Sequence, residues 1–600
     1  MLKKISLLLK VVVLAAVIAH SSGRVYKQCF SNKPKYTKVW TTPNRTRVTQ
    51  IKTFESWWNP DRYPPYFRDP GDFVLAATYD QLYMFNMKTI RDYYEAHVHR
   101  LLIFKREPKN THFISGHACP NNEFGRIRLD PDSRLEVCGS ICGKQECRFY
   151  HRDQFKSSNY ENSEFNQTVN YAWGKYAISP RHEKSWLETE KIGDNKTFVA
   201  MNAYMYTKDL LYKNEENLKS RYRNTQRKEF DKESNMDFKK IIDRAESKKV
   251  LTFFNELSDY DIETGESVKT NYAKVAQVCK NDESKKLNSY LTLPFHCSIG
   301  EGKDTLYFNK LISVSDPIKV KLGADSGHLE DVVFATMGVT YSYLNRTGSV
   351  VTMIKLSDVE DYFDNGDFTE HDYIDGKSKK SRSPIPNYHI AHGWENKKFN
   401  LKPLHLKVNR PGNCQEFKDA NEREMFEKKT KRFFRHHKIR RNMFGSLKTS
   451  KPLAQATFGE VYTSVTAVSK KGGAEVIVGS SKGKLLRIYV SLTGELKSFV
   501  YEEVLIPETE HCKTNSSCNI VNLTTVPKAN PDHIVGSFDD KVIFHEVDRC
   551  SQYFHEGCES KFACEWYPKT DISGDCKRIV NLKDAFEKFG QNQIDLCKSS

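Results

Sequence analysis

The stretch Val275-Ala-Gln-Val-Cys-Lys-Asn-Asp282 decides the fold of this 600-residue chain. It is an apolar strand that ends at a cysteine and is followed by three polar residues. An aromatic segment, Phe253-Phe-Asn-Glu256, precedes it, and Leu291–Ser298 follows it and closes on Phe-His-Cys-Ser. Further on, Arg410-Pro-Gly-Asn-Cys414 places another cysteine in a distinctive context. These cysteine contexts are the observations on which the interpretation of the chain depends.

Outward from this stretch, one local pattern recurs along the chain. A short β-branched or aromatic run ends in a small residue with Ser or Thr, a polar turn follows, and a second apolar run completes the unit, as expected of a β-hairpin. The pattern is clearest at 73–78 with 82–85, 476–480 with 485–490, and 534–537 with 542–544. Repeated hairpins predict an all-β fold and favour a β-propeller, with a pair of β-sandwiches as the alternative.

The amino terminus has the features of a signal peptide. Lys3 and Lys4 precede the apolar run Val11–Ala19, and small and polar residues follow. A membrane-spanning helix needs roughly 20 apolar residues, and Lys10 shortens this run. We therefore expect residues 1–19 to be removed and the protein to be secreted into the extracellular space. No later stretch predicts a membrane span.

The cysteines and glycosylation sequons fit an exported protein. The chain has 15 cysteines, an odd number, so at least one thiol is free or bridges to another chain. Cysteines that no motif pairs are Cys29, Cys119, Cys142, Cys512, Cys518, Cys550, Cys558, Cys564 and Cys576. Expected glycosylation sites are Asn44, Asn166, Asn195, Asn345, Asn515 and Asn522.

The formal charge of +17 indicates anionic partners. Exported proteins rarely meet nucleic acid, so anionic glycans, acidic receptor surfaces or lipid headgroups are the expected partners. Two charged segments, Lys213–Lys249 and Ala420–Met443, are interpreted as solvated helical or loop insertions, and Gly366–Asn400 as a long surface loop. The basic run at 428–441 is either a solvated face or a contact for a heparan-sulfate-like glycan.

No motif predicts catalysis, a metal site or a cofactor. The chain has no His-Glu-x-x-His helix and no Gly-x-Ser-x-Gly elbow, and Gly300-Glu-Gly-Lys303 lacks the spacing of a phosphate-binding loop. The adjacent His436 and His437 lie among cations that would oppose a metal ion. Acidic residues around Asp358 carry no acid–base information without burial. The sequence therefore indicates a binding protein rather than an enzyme.

The cysteine contexts resemble those of the semaphorin family. The stretch ending in Cys-Lys-Asn-Asp is similar to that family's signature, and so are the aromatic strand before it, the strand closing on Cys-Ser, and Arg-Pro-Gly-x-Cys. Leu135-Glu-Val-Cys-Gly-Ser140 with Cys147 resembles another cysteine pair of the family. Asp548-Arg-Cys-Ser-Gln-Tyr553 resembles the opening of the plexin–semaphorin–integrin module that follows the sema domain.

The resemblance implies a seven-bladed β-propeller, the sema domain, over residues 20–548. A cysteine-rich plexin–semaphorin–integrin-like module would follow at 549–600. It also implies two disulfides, Cys279–Cys414 and Cys138–Cys147. Where the family has Gly-Ser-Ala-Val-Cys, this chain has Gly348-Ser-Val-Val-Thr352, so Cys297 has no expected partner. The family's Cys-Pro-x-Asp-Pro strand is also replaced, around Ala177–Pro180.

By the same resemblance, the expected function is to bind a plexin-type receptor and signal in cell or axon guidance. Contacts are expected from loops of the third and fourth blades, near 180–270. Signalling would require a homodimer, which Cys597 could lock covalently. The alternative is a monomeric secreted decoy or glycan-binding protein that modulates receptors without clustering them.

Overall fold

The computed structural model of the chain describes residues 37–42, 45, 47–54, 73–78, 81–87, 98–102, 123–129, 135–141, 144–150, 186–188, 196–201, 204–209, 221–224, 236–258, 270–280, 289–300, 306–322, 329–339, 348–371, 401–405, 414, 421–422, 424–425, 428, 439–457, 459–470, 473–492, 496–506, 518–526, 533–547, 564–568 and 574–578. Within these residues the chain is almost entirely β-structure. The expectation of an all-β fold is confirmed.

The first half of the chain builds successive antiparallel sheets. Each sheet is formed by strands that follow one another in sequence, as in the blades of a propeller. The first three sheets are β2–β5 (Gln50–Phe54, Phe73–Ala77, Gln81–Asn86, Val98–Leu102), β6–β8 (Glu123–Leu129, Leu135–Ile141, Lys144–Tyr150) and β9–β12 (Trp186–Glu188, Lys196–Met201, Tyr204–Asp209, Arg221–Asn224).

The next two sheets are extended by additional strands. Strands β13–β16 (Met236–Arg244, Lys249–Ser258, Thr270–Cys279, Leu291–Ile299) form one antiparallel run, and β17 (Leu306–Phe308) pairs with β16. The following sheet contains β18–β21 (Lys310–Val314, Ile318–Lys321, Leu329–Gly338, Ser349–Lys355). Three of the four segments quoted at the start lie in adjacent strands of one sheet: Phe253–Glu256 in β14, Val275–Cys279 in β15 and Leu291–Ser298 in β16.

A long insertion separates β21 from its neighbour in the same sheet. It contains helix α1 (Leu356–Asn365) and β22–β25 (Phe368–His371, Leu401–Leu404, Ile439–Met443, Leu447–Lys448) before β26 (Ala454–Gln455) returns to pair with β21. Strands β24 and β25 pair with β16 of the preceding sheet. The insertion thus joins two sheets.

The last sheets close the fold. They are β27–β30 (Tyr462–Lys470, Gly473–Ser480, Lys484–Ser491, Lys497–Leu505) and β31–β33 (Val521–Val526, His533–Phe538, Lys541–Glu546). Strand β1 (Thr37–Thr41) from the amino-terminal end pairs antiparallel with β33. The last sheet is therefore completed by the start of the chain, which removes the free edge that an open array would leave.

Successive sheets contact one another through their first strands. Strand β2 contacts β31, which contacts β27; the series continues through β18, β13 and β9 to β6. This order of contacts and the β1–β33 pair are those of a propeller, and seven described sheets have three strands or more. The assignment of each sheet to one of seven blades stays a prediction. Strands β34 and β35 (Cys564–Pro568, Gly574–Arg578) form a separate hairpin.

The three hairpins quoted from the sequence are antiparallel strand pairs in the structure. Their small residues allow close packing. A Cβ atom on Gly479 would lie 2.6 Å from Ser464 Oγ and 2.7 Å from Ile520 Cβ. Large side chains in the same strands, such as Phe85 and Tyr489, are fully buried. Apolar burial between the sheets therefore supplies the core.

The helical interpretation of Lys213–Lys249 was wrong where the structure describes it. Residues 221–224 and 236–244 are strands, and Lys249 begins β14. Phe238 and Ile242 are buried against neighbouring strands, so tertiary burial overrides the helix-forming composition. In Ala420–Met443, residues 421–422, 424–425 and 428 are helical and 439–443 form β24. In Gly366–Asn400, the described part contains β22 rather than a loop.

Candidate functional site

The region expected to contact a partner, near 180–270, contains β9 to the start of β15. Its best-described part is the hairpin of β13 and β14, whose turn is Ala245–Lys248. Lys248 has φ of 56° and its N–H bonds the carbonyl of Ala245 at 3.4 Å. Charged residues on both sides of this turn, from Asp243 to Lys249, are brought together at one end of the hairpin.

Arg244 is the centre of this charged cluster. Its Nε donates to Glu360 Oε1 at 2.8 Å, and its Nη1 donates to Asp331. The Ser247 hydroxyl also donates to Glu360, at 2.7 Å. The side chains of Arg244, Glu360 and Asp331 are only 11%, 14% and 13% exposed. The hairpin end is thereby fixed to α1 and to β20.

Burial opposes the charge of Arg244, but hydrogen bonds and ionic attraction from Glu360 and Asp331 exceed this effect. The pKa of Arg244 is therefore raised above its ordinary value. Lys249, whose side chain is 4% exposed, adds a second connection to α1, with its Nζ 2.7 Å from Asp364 Oδ2. The charged side chains of Arg244 and Lys249 therefore form ion pairs that connect elements of the protein itself.

A different set of charges at the same end is exposed. Glu246 and Lys319 form an ion pair at 3.0 Å with side chains 71% and 59% exposed. The pKa of Lys319 is raised by its hydrogen bond to Glu246. Asp316, 62% exposed, pairs with Lys240, and Leu329 is 57% exposed. This exposed set, which we call the hairpin-end surface (Glu246, Asp316, Lys319 and Leu329), is available to a partner.

The sequence analysis did not identify Arg244 and its acidic partners as a cluster. Glu360 and Asp331 lie 116 and 87 residues from Arg244 in the chain. In the sequence, Glu360 is one of several acidic residues near Asp358, and nothing distinguishes it from an acidic residue on the surface. The sequence offers one indication, the helical spacing of apolar residues in α1. Leu356, Val359 and Phe363 are buried and define the inner face of this helix.

The two cysteine pairs implied by the resemblance fall among the described residues. Cys279, at the end of β15, is joined by a disulfide to Cys414 of the insertion, with Cα atoms 5.2 Å apart. In the register of β7 and β8, Cys138 lies directly opposite Cys147. That register places the two backbones side by side, and the Cys138–Cys147 bridge stays a prediction. Cys518 is also disulfide-bonded.

Cys297 is a free and fully buried thiol. Its Sγ donates to the carbonyl of Ser450 at 3.4 Å. Thr352, the residue that replaces the family's cysteine, is within hydrogen-bonding reach of this thiol. Burial raises the pKa of Cys297 to about 11, so the thiol is neutral at physiological pH. A buried thiol in the folded protein cannot bridge to another chain.

Of the expected glycosylation sites, Asn522 is described. Its Nδ2 donates to the carbonyl of Thr49 at 3.3 Å and to Ser537 Oγ at 3.1 Å. It lies in β31 at an irregularity in the pairing with β32, with φ of 53°. The nitrogen that a glycan would modify therefore joins the first and last sheets.

The remaining site residues of the sequence analysis are placed as follows. Cys564 and Cys576 lie in β34 and β35. Residues outside the described part are Cys29, Cys119, Cys142, Cys512, Cys550, Cys558, Cys597, Asn44, Asn166, Asn195, Asn345 and Asn515, together with the signal segment 1–19 and most of the basic run 428–441.

Metal binding and membrane insertion are the next two properties to consider in the described residues. No group of His, Cys, Asp and Glu side chains in these segments is arranged to hold a metal ion. No helix among the same residues has the length and apolar character needed to cross a bilayer. The side-chain interactions among the described residues include ion pairs and disulfides.

Several solved structures are similar to this chain over most of its length. Drosophila Semaphorin 2a has 15% identity and a TM-score of 0.59, with 92% of this chain and 82% of that chain covered. The chain has the sema-domain fold. A chain from Drosophila Plexin A in complex with Semaphorin 1b has 17% identity and a TM-score of 0.53, covering 92% and 94%.

The sema-domain fold also occurs in a receptor. The full extracellular region of Plexin A4 has 12% identity and a TM-score of 0.55, with 91% of this chain and 50% of that chain covered. No family model and no curated protein matches the sequence. At sequence identities this low, the structural similarity establishes the fold and does not identify a binding partner.

Proposed function

We propose that this protein is a secreted, non-catalytic, semaphorin-like ligand that binds a plexin-type receptor and signals in cell or axon guidance. The observation that carries the proposal is the sema-domain fold, found in Drosophila Semaphorin 1b, a protein that has also been solved in complex with Plexin A. The semaphorin-like cysteine contexts around Cys279 and Cys414 and the predicted signal peptide add support. The proposed domain order is a sema domain at 20–548 and a cysteine-rich module at 549–600.

Because plexins have the same fold, binding has to be measured directly. The full chain, purified from culture medium, is passed over a panel of immobilised plexin ectodomains by surface plasmon resonance. Saturable binding to at least one ectodomain is expected. Absence of binding across the panel would overturn the proposed receptor class.

The hairpin-end surface is the proposed contact, because its charges are exposed while those around Arg244 are internally paired. Charge exchange at one exposed pair, Glu246→Lys with Lys319→Glu, keeps the intramolecular pair but reverses the pattern that a partner meets. Charge reversal at an interface costs several kcal/mol. We expect plexin affinity to fall by about tenfold or more.

The matched control is a second exposed pair on another surface. Glu424 and Lys428 are 2.7 Å apart with side chains 63% and 74% exposed. Their charge exchange, Glu424→Lys with Lys428→Glu, is expected to leave plexin affinity unchanged. Equal loss in both double variants would indicate a general charge effect and would contradict a contact at the hairpin end.

The second candidate function, a decoy or glycan-binding protein, differs in its assembly. A signalling ligand of this kind is expected to dimerise, since a symmetric pair presents two identical faces. Analytical ultracentrifugation of the secreted protein decides this point: a receptor-binding monomer at all accessible concentrations supports the decoy. Electrophoresis with and without reductant tests whether Cys597 links the dimer.

A further inference from the structure

A pocket opens where three parts of the fold converge. One wall comes from the end of β21 and the start of α1, including Met353 and Lys355. A second wall comes from the end of the insertion, residues 447–450. The third comes from neighbouring connections, with Leu322 after β19 and Leu492 and Leu496 between β29 and β30. The pocket shares no lining residue with the hairpin-end surface.

The pocket has the size of a small-molecule site. Its volume is about 360 Å³, within the range of roughly 300–1,000 Å³ that such sites occupy. Its apolar lining consists of Leu322, Met353, Ile354, Leu447, Leu492 and Leu496. This lining would accept the apolar body of a ligand.

The hydroxyl groups at the base of the pocket are already used within the fold. Thr449 Oγ1 accepts a hydrogen bond from Thr352 at 2.8 Å. Ser450 Oγ accepts from the N–H of Met353 at 2.9 Å and donates to the carbonyl of Lys451 at 3.0 Å. These groups fix the insertion against β21, and they leave the recognition of a polar ligand group to the charged side chains.

The charged side chains of the pocket are two lysines and one acid. Lys355, Lys448 and Asp358 line it. Neither lysine has an ion-pair partner among the residues that the structure describes. Two ammonium groups against one carboxylate leave a net positive charge beside an apolar lining. An ammonium group forms strong, charge-assisted hydrogen bonds with carboxylate oxygens.

We propose that this pocket binds an amphiphilic anion, with a carboxylate head at Lys355 and Lys448 and an aliphatic body along Met353, Leu492 and Leu496. A medium-chain carboxylate has this chemistry. The same chemistry is available from a free fatty acid or from an anionic lipid in a membrane, and the two sources can be separated experimentally.

The test uses the full secreted chain and isothermal titration calorimetry with decanoate below its micelle concentration. One saturable site is expected, with decylamine, of the same length and opposite charge, failing to bind. The variant Lys355→Gln with Lys448→Gln is expected to weaken decanoate binding about tenfold or more, since two charge-assisted bonds are lost. Leu496→Ala is expected to weaken it through lost apolar contact.

The control variant is Lys451→Gln, an exposed neighbouring lysine that does not line the pocket. It should bind decanoate as the wild type does, and the lysine variants should share the wild-type melting temperature. Flotation with phosphatidylglycerol vesicles forms the second arm. Binding of decanoate without flotation supports a free amphiphile; flotation that requires both lysines supports a lipid source. Absent decanoate saturation, equal binding of decylamine, or an unaffected double-lysine variant would each overturn the proposal.

Discussion

At the scale of single residues, Cys297 shows how one substitution changes the chemistry of a site. The thiol is buried in β16, and Thr352 of β21 lies within its hydrogen-bonding reach. Thr352 instead donates to Thr449 and Ser450 of the insertion. The position at which the resemblance predicts a bridging cysteine is here part of a hydrogen-bonded contact.

Restoring the cysteine should restore the bridge. In Thr352→Cys we expect a disulfide with Cys297 and a stabilisation of up to about 4 kcal/mol from loop closure. The measurement is thermal unfolding with and without reductant, together with a count of free thiols. The variant Thr352→Cys with Cys297→Ser lacks the second thiol and controls for the substitution itself. If Thr352→Cys gains a free thiol and melts alike in both conditions, the proposed proximity is contradicted.

The buried thiol also predicts a pH dependence. Burial raises the pKa of Cys297 to about 11, above the ordinary value of 9.0. The folded state holds this proton more tightly than the unfolded state, so the stabilisation is complete below pH 9 and is lost as the pH rises from 9 to 11. In total it amounts to roughly 2–3 kcal/mol.

This dependence is measured by urea unfolding of the wild type and of Cys297→Ala between pH 8 and pH 11. The difference in unfolding free energy between the two proteins should shrink as the pH rises. A difference that stays constant over this range would be inconsistent with a thiol that is neutral in the folded state.

At the scale of elements, the β13–β14 hairpin and α1 are joined through Arg244. Neutralising it as Arg244→Gln leaves Glu360 and Asp331 largely buried without their cation. Breaking such a network costs about 3–5 kcal/mol, whereas an exposed pair contributes about 1 kcal/mol or less. Chemical denaturation should therefore show a large loss of stability for Arg244→Gln and a small one for Lys319→Gln. Similar losses in the two variants would contradict the distinction between internal and exposed charges.

The insertion is the second feature at this scale. It leaves the sheet of β21 at α1, pairs with β16 of the preceding sheet, and is joined to the end of β15 by the Cys279–Cys414 disulfide. The bridge spans 135 residues of sequence. It links the end of β15 to the insertion, two parts of the chain that are far apart in sequence.

At the scale of the whole molecule, closure depends on contacts between the two ends of the described chain. Trp40 of β1 packs edge-on against Tyr83 and Phe85, with ring centroids 4.7 and 5.1 Å apart, and Phe85 contacts Phe544. We expect Trp40→Ala to lower the unfolding free energy by about 3 kcal/mol. Leu329→Ala, at an exposed position, serves as the control in thermal unfolding. A Trp40→Ala protein as stable as this control would argue against closure through β1.

Asn522 takes part in the same closure, since it bonds Thr49 of one end and Ser537 of the other. We expect no glycan there despite the sequon. Thr524→Val removes the sequon but keeps the asparagine, so peptide mass spectrometry and gel mobility should match the wild type. Asn522→Gln should destabilise the protein by about 1–3 kcal/mol because buried polar groups lose partners. A mobility change in Thr524→Val would show that the site is occupied.

Prediction from the sequence succeeded where the pattern is local. The apolar runs around 73–85, 476–490 and 534–544 indicated strands, and their alternation with turns indicated hairpins. It failed for 236–249, where charged residues dominate the composition but Phe238 and Ile242 decide the burial. It could not detect the Arg244 cluster, because its members come from separate parts of the chain.

By itself, the sequence determined the β-structure and the resemblance that predicted a sema domain, because strand patterns and cysteine contexts are encoded in adjacent residues. Only the tertiary structure decided which charges are internal, which thiol is buried, and which sequon is engaged in the fold. Those properties depend on the packing of sheets that are distant in sequence. The same packing forms the hairpin-end surface and the pocket beside α1, and no local pattern reports either of them.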